Sequence, residues 1–219
     1  MTPAEALREK LAVAVFPDDL FGENCYLIRR RDTTAALAVD PGLQVDRVLE
    51  RVRQDGLTVE RILVTHGHID HVSGVPQVHR ETGAPIAMHP DDLAILDWER
   101  FGQMPFVPTG FAPFSINTTL AHGTALSFQD VSLRVLHTPG HTQGSVCFLF
   151  GLDCFAGDTL FQRGIGRTDL PGGDTQKIIF SIRNVLYRLP SKTVVYPGHG
   201  PSTTIEEEML LNPFVPADR

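Results

Sequence analysis

The sequence predicts an α/β fold in a single domain over residues 1–219. Short runs of β-branched and aliphatic residues recur along the chain, and such runs are typical of buried strands. The segments between them include amphipathic helical patterns. With 219 residues and 42% hydrophobic content, the chain can bury a substantial core. Because no linker or low-complexity segment interrupts it, we expect one domain.

Each predicted element follows from a local pattern. The helix at 44–54 is typical: four valine and leucine residues have the i, i+3, i+4, i+7 spacing of a buried face, and its charged residues would face water. The apolar runs predict strands at 10–16, 24–29, 35–39, 61–64, 131–136, 154–156 and 193–196. Further helices are predicted at about 72–82, 90–98, 174–188 and 203–210.

Residues 99–117 are rich in proline, glycine and phenylalanine and predict a long loop. Long loops in compact domains are often functional. This one would extend over the mouth of an active site, or it would cover one edge of a sheet.

The segment from Thr65 to His71 predicts a metal site. Three histidines and an aspartate lie within six residues, directly after the apolar run 61–64. Imidazole nitrogens and carboxylate oxygens are preferred ligands of zinc and similar divalent metals. Alternating positions place His66 and His68 on the same side of an extended segment, whereas Asp70 and His71 follow the turn. This spacing favours two ions over one.

Three later apolar runs also end at a possible ligand. The runs at 131–136, 154–156 and 193–196 lead to His141, Asp158 and His199 respectively, and each of these residues follows a glycine. Glycine permits tight turns and close approach of the backbone to an ion. Four strand ends therefore predict one metal site at the rim of a sheet.

These residues give the chain a resemblance to the metallo-β-lactamase superfamily. The resemblance rests on the motif His-Gly-His-Ile-Asp-His at 66–71, followed in the family's order by His141, Asp158 and His199. The resemblance implies a four-layer αββα sandwich that holds two divalent metal ions. Zinc is the metal it favours, with iron or manganese as alternatives. The implied ligands are His66, His68 and His141 for the first metal, Asp70, His71 and His199 for the second, and Asp158 between them.

Local matches narrow the resemblance to the short, single-domain bacterial type II glyoxalases. This match rests on two segments, Gly198-His199-Gly200-Pro201-Ser202-Thr203 and Asn212-Pro213-Phe214. It implies hydrolysis of a small-molecule glutathione thioester such as S-lactoylglutathione by a metal-bridging hydroxide, with Asp70 as the catalytic residue that orients the hydroxide or relays its proton.

Two alternatives remain. An iron-dependent persulfide dioxygenase would use only His66, His141 and Asp158, a set of two histidines and one carboxylate. However, such enzymes typically have Pro-Ala-His-Asp at the positions of residues 197–200 and a cysteine at the position of residue 165. This chain has neither. The other alternative is a non-catalytic member, or one with another substrate, including weak lactamase activity.

Three further residues are candidates for supporting roles. Asp40 ends an apolar strand, and the resemblance implies that it lies behind the ligands and orients their imidazoles. Arg163 and Arg167 follow Asp158, where a guanidinium could pair with a substrate carboxylate. Arg167 could instead pair with Asp169 or Asp174 and hold the loop.

Composition excludes other classes of partner. A net charge of −7 gives no basic surface for nucleic acid, and no apolar run approaches the length of a membrane span. The charged residues near the N-terminus do not fit a signal peptide. Three cysteines, an odd number within or beside apolar runs, predict buried free thiols in a reducing compartment, which is the cytoplasm. The oligomeric state is not predicted.

Overall fold

A computed structural model describes residues 2–108 and 111–216. The chain forms two compact units: an N-terminal unit of residues 9–120, and a C-terminal unit of residues 121–219 with 1–8. Each has a six-stranded sheet and a hydrophobic core of its own. The single domain over 1–219 stays a prediction, and its residues 1, 109, 110 and 217–219 lie outside the described ranges. Within those ranges, no helix has the length and apolarity to span a membrane.

The sheet of the N-terminal unit follows chain order. Its strands are β1 (Leu11–Pro17), β2 (Asn24–Arg30), β3 (Ala35–Val39), β4 (Thr58–Leu63), β5 (Ile86–Met88) and β6 (Thr118–Thr119). The first three form an antiparallel meander, and β3 to β6 pair in parallel. Parallel pairing places the carboxyl ends of β3 and β4 at the same edge of the sheet.

One helix precedes β1, and the next four helices lie in the connections between β3 and β6. They are α1 (Pro3–Lys10), α2 (Val45–Gln54), α3 (Ile69–Val72), α4 (Val75–Thr82) and α5 (Trp98–Gly102), with a 3₁₀-helix at Pro90–Ile95. Helix α2 buries Val45, Val48, Leu49 and Val52, the face predicted from their spacing. These side chains join the core cluster of the unit.

Strand β4 contains a β-bulge. Val59 pairs with Ala36, and Arg61 pairs with the next residue of β3, Leu37, so that Glu60 is an extra residue in the ladder. Beyond the bulge the pairing is regular, and Leu63 lies opposite Val39. The bulge therefore determines which face of the sheet each side chain points to where β4 leads into the histidine-rich segment.

The sheet of the C-terminal unit has the order β14-β13-β10-β9-β8-β7. Its strands are β7 (Ala125–Phe128), β8 (Val131–His137), β9 (Val146–Phe150), β10 (Asp153–Gly157), β13 (Val194–Pro197) and β14 (Thr203–Thr204), and β11 (Leu160–Phe161) with β12 (Gly164–Ile165) forms a separate hairpin. The helices are α6 (Thr175–Asn184), a 3₁₀-helix at Leu186–Arg188, and α7 (Ile205–Leu211). Strands β10 and β13 are parallel, and the other neighbours are antiparallel.

The α/β class and the seven predicted strands are confirmed, but three helices differ from the prediction. The helix predicted at 174–188 is α6 followed by the 3₁₀-helix at Leu186–Arg188. The segment predicted as one helix at 72–82 contains the last residue of α3 and the whole of α4, because the helix is interrupted at Gly74. A Cβ atom at Gly74 would lie 2.8 Å from the carbonyl oxygen of Pro41. The predicted α-helix at 90–98 is a 3₁₀-helix followed by α5.

Part of the predicted loop 99–117 packs on the N-terminal unit. Trp98 contacts Phe101 and Phe114, with ring centroids 6.3 and 5.0 Å apart, and Trp98 and Phe114 pack against the core cluster. This fits the alternative in which the segment covers the sheet, although positions 109 and 110 are outside the described residues. All three cysteines are buried and unbridged, as predicted.

Candidate metal centre

The histidine-rich segment is shaped by a close contact at Gly67. Its N–H donates to Asp92 Oδ2 over 2.8 Å, and a Cβ atom there would lie 3.0 Å from Ile95 Cγ1 and 3.1 Å from the carbonyl oxygen of Asp92. The 3₁₀-helix therefore packs directly on the backbone between two histidines. His66 and His68 lie on either side of this contact, with ring centroids 4.9 Å apart.

Helix α3 begins directly after His68 and carries the next two candidate ligands. His71 is buried, and its ring centroid lies 4.1 Å from that of His66. Its Nε2 atom lies 3.8 Å from Asp70 Oδ2. The turn from strand to helix thus gathers the four predicted ligands of this segment, although only the first two leave an extended backbone.

Asp40 contacts the candidate ligand His71 and the residue that precedes the motif, Thr65. One carboxylate oxygen accepts from the Thr65 amide over 2.7 Å, and the other accepts from the Thr65 hydroxyl and lies 3.0 Å from His71 Nδ1. The Thr65 hydroxyl is also 3.1 Å from His66 Nδ1. Asp40 can therefore orient one imidazole directly and the other through Thr65, which leaves each Nε2 for a metal. Thr65 was not predicted, although it lies next to the motif.

A second buried carboxylate faces His71. Glu23 Oε1 lies 3.7 Å from His71 Nδ1, and Oε2 accepts from Gln44 Nε2 over 2.7 Å. Burial raises the pKa of Glu23 well above its ordinary value, and the neighbouring Asp40 raises it further. No motif in the sequence indicated this residue.

The C-terminal unit gathers the other three candidates. Gly157 at the end of β10 pairs in parallel with Pro197 at the end of β13, so Asp158 and His199 leave the same edge of the sheet. Asp158 Oδ2 lies 3.5 Å from His199 Nε2 and 3.4 Å from His141 Nε2. One carboxylate oxygen is therefore close to two imidazole nitrogens.

These separations fit metal ligation. Two donors bound to one zinc ion at about 2.1 Å and a tetrahedral angle are about 3.4 Å apart. His141 Nδ1 lies 2.8 Å from the carbonyl oxygen of Arg167 and can donate to it, which leaves Nε2 as the ligating atom. The residues present in this unit fit a metal whose ligands include a shared carboxylate.

The two candidate arginines differ in their contacts. The guanidinium of Arg167 forms two hydrogen bonds with Asp169, of 2.7 and 2.8 Å, and this pairing lowers the pKa of Asp169 to about 2. Arg163 is exposed and has a left-handed backbone with φ of 55°. Its amide donates to Glu208 Oε2 over 2.8 Å.

Comparison with known proteins identifies the family. The model of the metallo-β-lactamase superfamily matches residues 18–199. The chain therefore belongs to the metallo-β-lactamase superfamily, a family of metal-binding hydrolases. Its fold is the metallo-β-lactamase fold, as the sequence analysis expected.

Curated relatives match almost from end to end. An uncharacterized protein of Mycobacterium leprae is 41% identical over 94% of this chain and 99% of its own length. Hydroxyacylglutathione hydrolase GloC of Haemophilus influenzae is 34% identical over 93% of this chain and 97% of its own. The resemblance to the hydroxyacylglutathione hydrolases is thereby confirmed.

Solved structures of other proteins match more than nine-tenths of this chain. BLEG-1, a B3 metallo-β-lactamase, has a TM-score of 0.84 at 33% identity and covers 93% of this chain and 99% of its own. TTHA1623 in a di-iron-bound form has a TM-score of 0.80 at 34% identity, covering 92% and 100%. ETHE1 from Myxococcus xanthus has a TM-score of 0.79 at 32% identity, covering 93% and 84%.

Proposed function

We propose that the protein is a binuclear metal-dependent hydrolase of glutathione thioesters. The observation that carries this proposal is the position of Asp158 Oδ2, 3.4 and 3.5 Å from two imidazole nitrogens. A carboxylate oxygen at this distance from two imidazoles can be shared by two ions. The di-iron form of TTHA1623 supports two metals in this fold.

In this proposal the two ligand sets form one centre. His66, His68 and His141 would hold the first metal, Asp70, His71 and His199 would hold the second, and Asp158 would be common to both. The metals are two divalent ions, zinc by preference, or iron or manganese. When bound, they would lower the pKa of a metal-bound water towards neutrality and polarise a carbonyl.

The residues of the chain have distinct tasks in this chemistry. Asp40 and Thr65 keep the protons of His71 and His66 on Nδ1, so that Nε2 can ligate. Asp70 is partly exposed, with a relative side-chain exposure of 18%, whereas its neighbour His71 is fully buried. Asp70 is therefore the group we expect to orient the attacking water and to take up its proton.

The substrate class rests on the similarity to GloC, which is a hydroxyacylglutathione hydrolase. A glutathione thioester carries two carboxylates, and a cation near the metals would anchor them. Because Arg167 already pairs with Asp169, Arg163 is the better candidate for this contact.

A comparison of wild type with His199→Ala tests the proposal. We expect two metals per wild-type chain and hydrolysis of S-lactoylglutathione without oxygen. Elemental analysis should show fewer metals in His199→Ala, and its turnover should fall by orders of magnitude. His122→Ala, an exposed histidine of the same unit, should keep both properties. A mild effect of His199→Ala on hydrolysis would contradict the proposal.

The second candidate function is an iron-dependent persulfide dioxygenase. The contact between His141 Nε2 and Asp158 Oδ2 also fits a set of two histidines and one carboxylate that includes His66. In that case the protein should bind one iron per chain and consume oxygen with a glutathione persulfide, and His199→Ala should retain much of this activity.

A further inference from the structure

Glu208 in helix α7 and Asn212 at its C-terminal cap are buried polar residues that also contact segments outside the helix. Glu208 and Asn212 are one turn apart and have relative exposures of 0% and 2%. Asn212 Nδ2 donates to Glu208 Oε2 over 2.8 Å and to the carbonyl oxygen of Gly164 over 3.1 Å. Glu208 Oε2 also accepts from the Arg163 amide over 2.8 Å. Together they bind two adjacent residues, Arg163 in the turn between β11 and β12 and Gly164 at the start of β12.

The same carboxylate reaches a second loop. Glu208 Oε1 accepts from the Thr203 hydroxyl over 2.6 Å, and Thr203 follows His199 by four residues. Asn212 Oδ1 accepts from the amides of Phe214 and Val215, which fixes the amide group with its nitrogen towards Gly164. Each polar atom of the pair therefore has a specific partner, as a buried hydrogen-bond network requires.

The bound hairpin is part of a loop that begins at the candidate ligand Asp158 and ends at a residue in contact with another candidate ligand, His141. It starts two residues after Asp158 and leads to Arg167, whose carbonyl oxygen lies 2.8 Å from His141 Nδ1. Between them, a Cβ atom at Gly166 would collide with the carbonyl oxygen of Asp158 and lie 3.0 Å from His141 Nδ1. Because the loop packs this closely on both ligands, a shift of the hairpin would move the Arg167 carbonyl away from His141.

We propose that Glu208 and Asn212 form a clamp that positions His141 and Asp158 for metal binding through the loop 158–167. The inference rests on the proposed metal centre and assigns a role to the Asn212-Pro213-Phe214 motif. The pair are positioning residues, because they touch the loop rather than a metal or substrate. A supporting contact of this kind changes metal affinity typically by 10–100-fold.

Metal affinity of the purified apoprotein, measured with zinc alone against a chromophoric chelator, tests the clamp. Asn212→Asp keeps the acceptor for residues 214 and 215 but replaces the donor with an oxygen facing Glu208 Oε2 and the Gly164 carbonyl. We expect about tenfold weaker zinc binding. Glu208→Gln preserves the shape and most hydrogen bonds, so its loss should be smaller.

Tyr187→Phe is the matched control. The Tyr187 hydroxyl donates to the backbone carbonyls of Glu208 and Val215, so its loss destabilises the same C-terminal segment without touching the hairpin. This variant should bind zinc within about twofold of wild type at a comparable loss of thermal stability.

Each outcome decides the question. Weaker zinc binding in Asn212→Asp than in Tyr187→Phe supports the clamp. Zinc binding in Asn212→Asp that is no weaker than in Tyr187→Phe overturns it. If Asn212→Asp does not fold, Glu208→Gln decides by the same comparison with Tyr187→Phe. Wild type that binds no metal would instead overturn the proposed function, which keeps the two failures distinct.

Discussion

Replacement of Asp40 by asparagine is the sharpest test of how the ligand imidazoles are oriented. Asp40 has a left-handed backbone with φ of 49°, a conformation that asparagine adopts readily. The side chains are also nearly equal in volume, so Asp40→Asn should preserve the backbone and the packing. The variant changes mainly the hydrogen bonds to Thr65 and His71.

The expected magnitude follows from those hydrogen bonds. The carbonyl oxygen of asparagine can still accept from the Thr65 amide, but its NH₂ group would replace the oxygen 3.0 Å from His71 Nδ1. A donor at this place requires His71 to accept at Nδ1 and to carry its proton on Nε2, the proposed ligating atom. Loss of such support weakens metal binding by about 10–100-fold, or about 1.4–2.7 kcal/mol.

Metal affinity and stoichiometry should therefore be compared for wild type, Asp40→Asn and Thr65→Ser. Thr65→Ser retains the hydroxyl between Asp40 and His66 and serves as the control. We expect Asp40→Asn to lose the metal bound by His71 first, at a thermal stability close to wild type. Wild-type affinity for two metals in Asp40→Asn would refute the reasoning.

Three other predictions concern single residues. Asp158→Ala should abolish binding of both metals in elemental analysis, because the proposal assigns it to both; one retained metal would contradict the bridge. Arg163→Ala should raise the KM for a glutathione thioester with little change in kcat, whereas Arg167→Ala should change KM less; equal effects would argue against the preference for Arg163. Burial and the neighbouring Glu208 raise the pKa of Tyr187 from its ordinary value of 10.0 to about 12, so its contribution to stability is complete below pH 10 and is lost as the pH rises towards 12. Urea unfolding should show a flatter pH dependence in this range for Tyr187→Phe than for wild type.

Seven of the fourteen strands in the described residues, and the metal-ligand candidates, could be predicted because their signals are local. Continuous apolar runs identify β3, β4 and β10 without knowledge of their partners. The candidate ligands stand directly after such runs, and their chemistry is read from residue type. The buried face of α2 could likewise be predicted, because the spacing of four apolar residues within one helix defines it.

Apart from Asp40, whose role the family resemblance implied, the supporting network could not be predicted, because its contacts join distant segments. Thr65 and Asp40 are 25 residues apart, and Arg163 and Glu208 are 45 apart. Neither pair has a local pattern that distinguishes it from an ordinary turn or helix. The break between α3 and α4 is partly local in origin, because Pro76 in the first turn of α4 cannot donate a hydrogen bond to the preceding turn, and Gly74 also packs on residues 41 and 42.

The bulge at Glu60 makes the candidate centre sensitive to the length of the chain. Asp40 and Thr65 follow the paired residues Val39 and Leu63, so the ladder between β3 and β4 sets the distance from carboxylate to hydroxyl. Removal of Glu60 would restore a regular ladder but displace Thr65 by one position, and the alternation of side chains would turn its hydroxyl to the opposite face. Insertions and deletions should therefore be tolerated in the turn before β3, at residues 31–34, but not between Glu60 and His71.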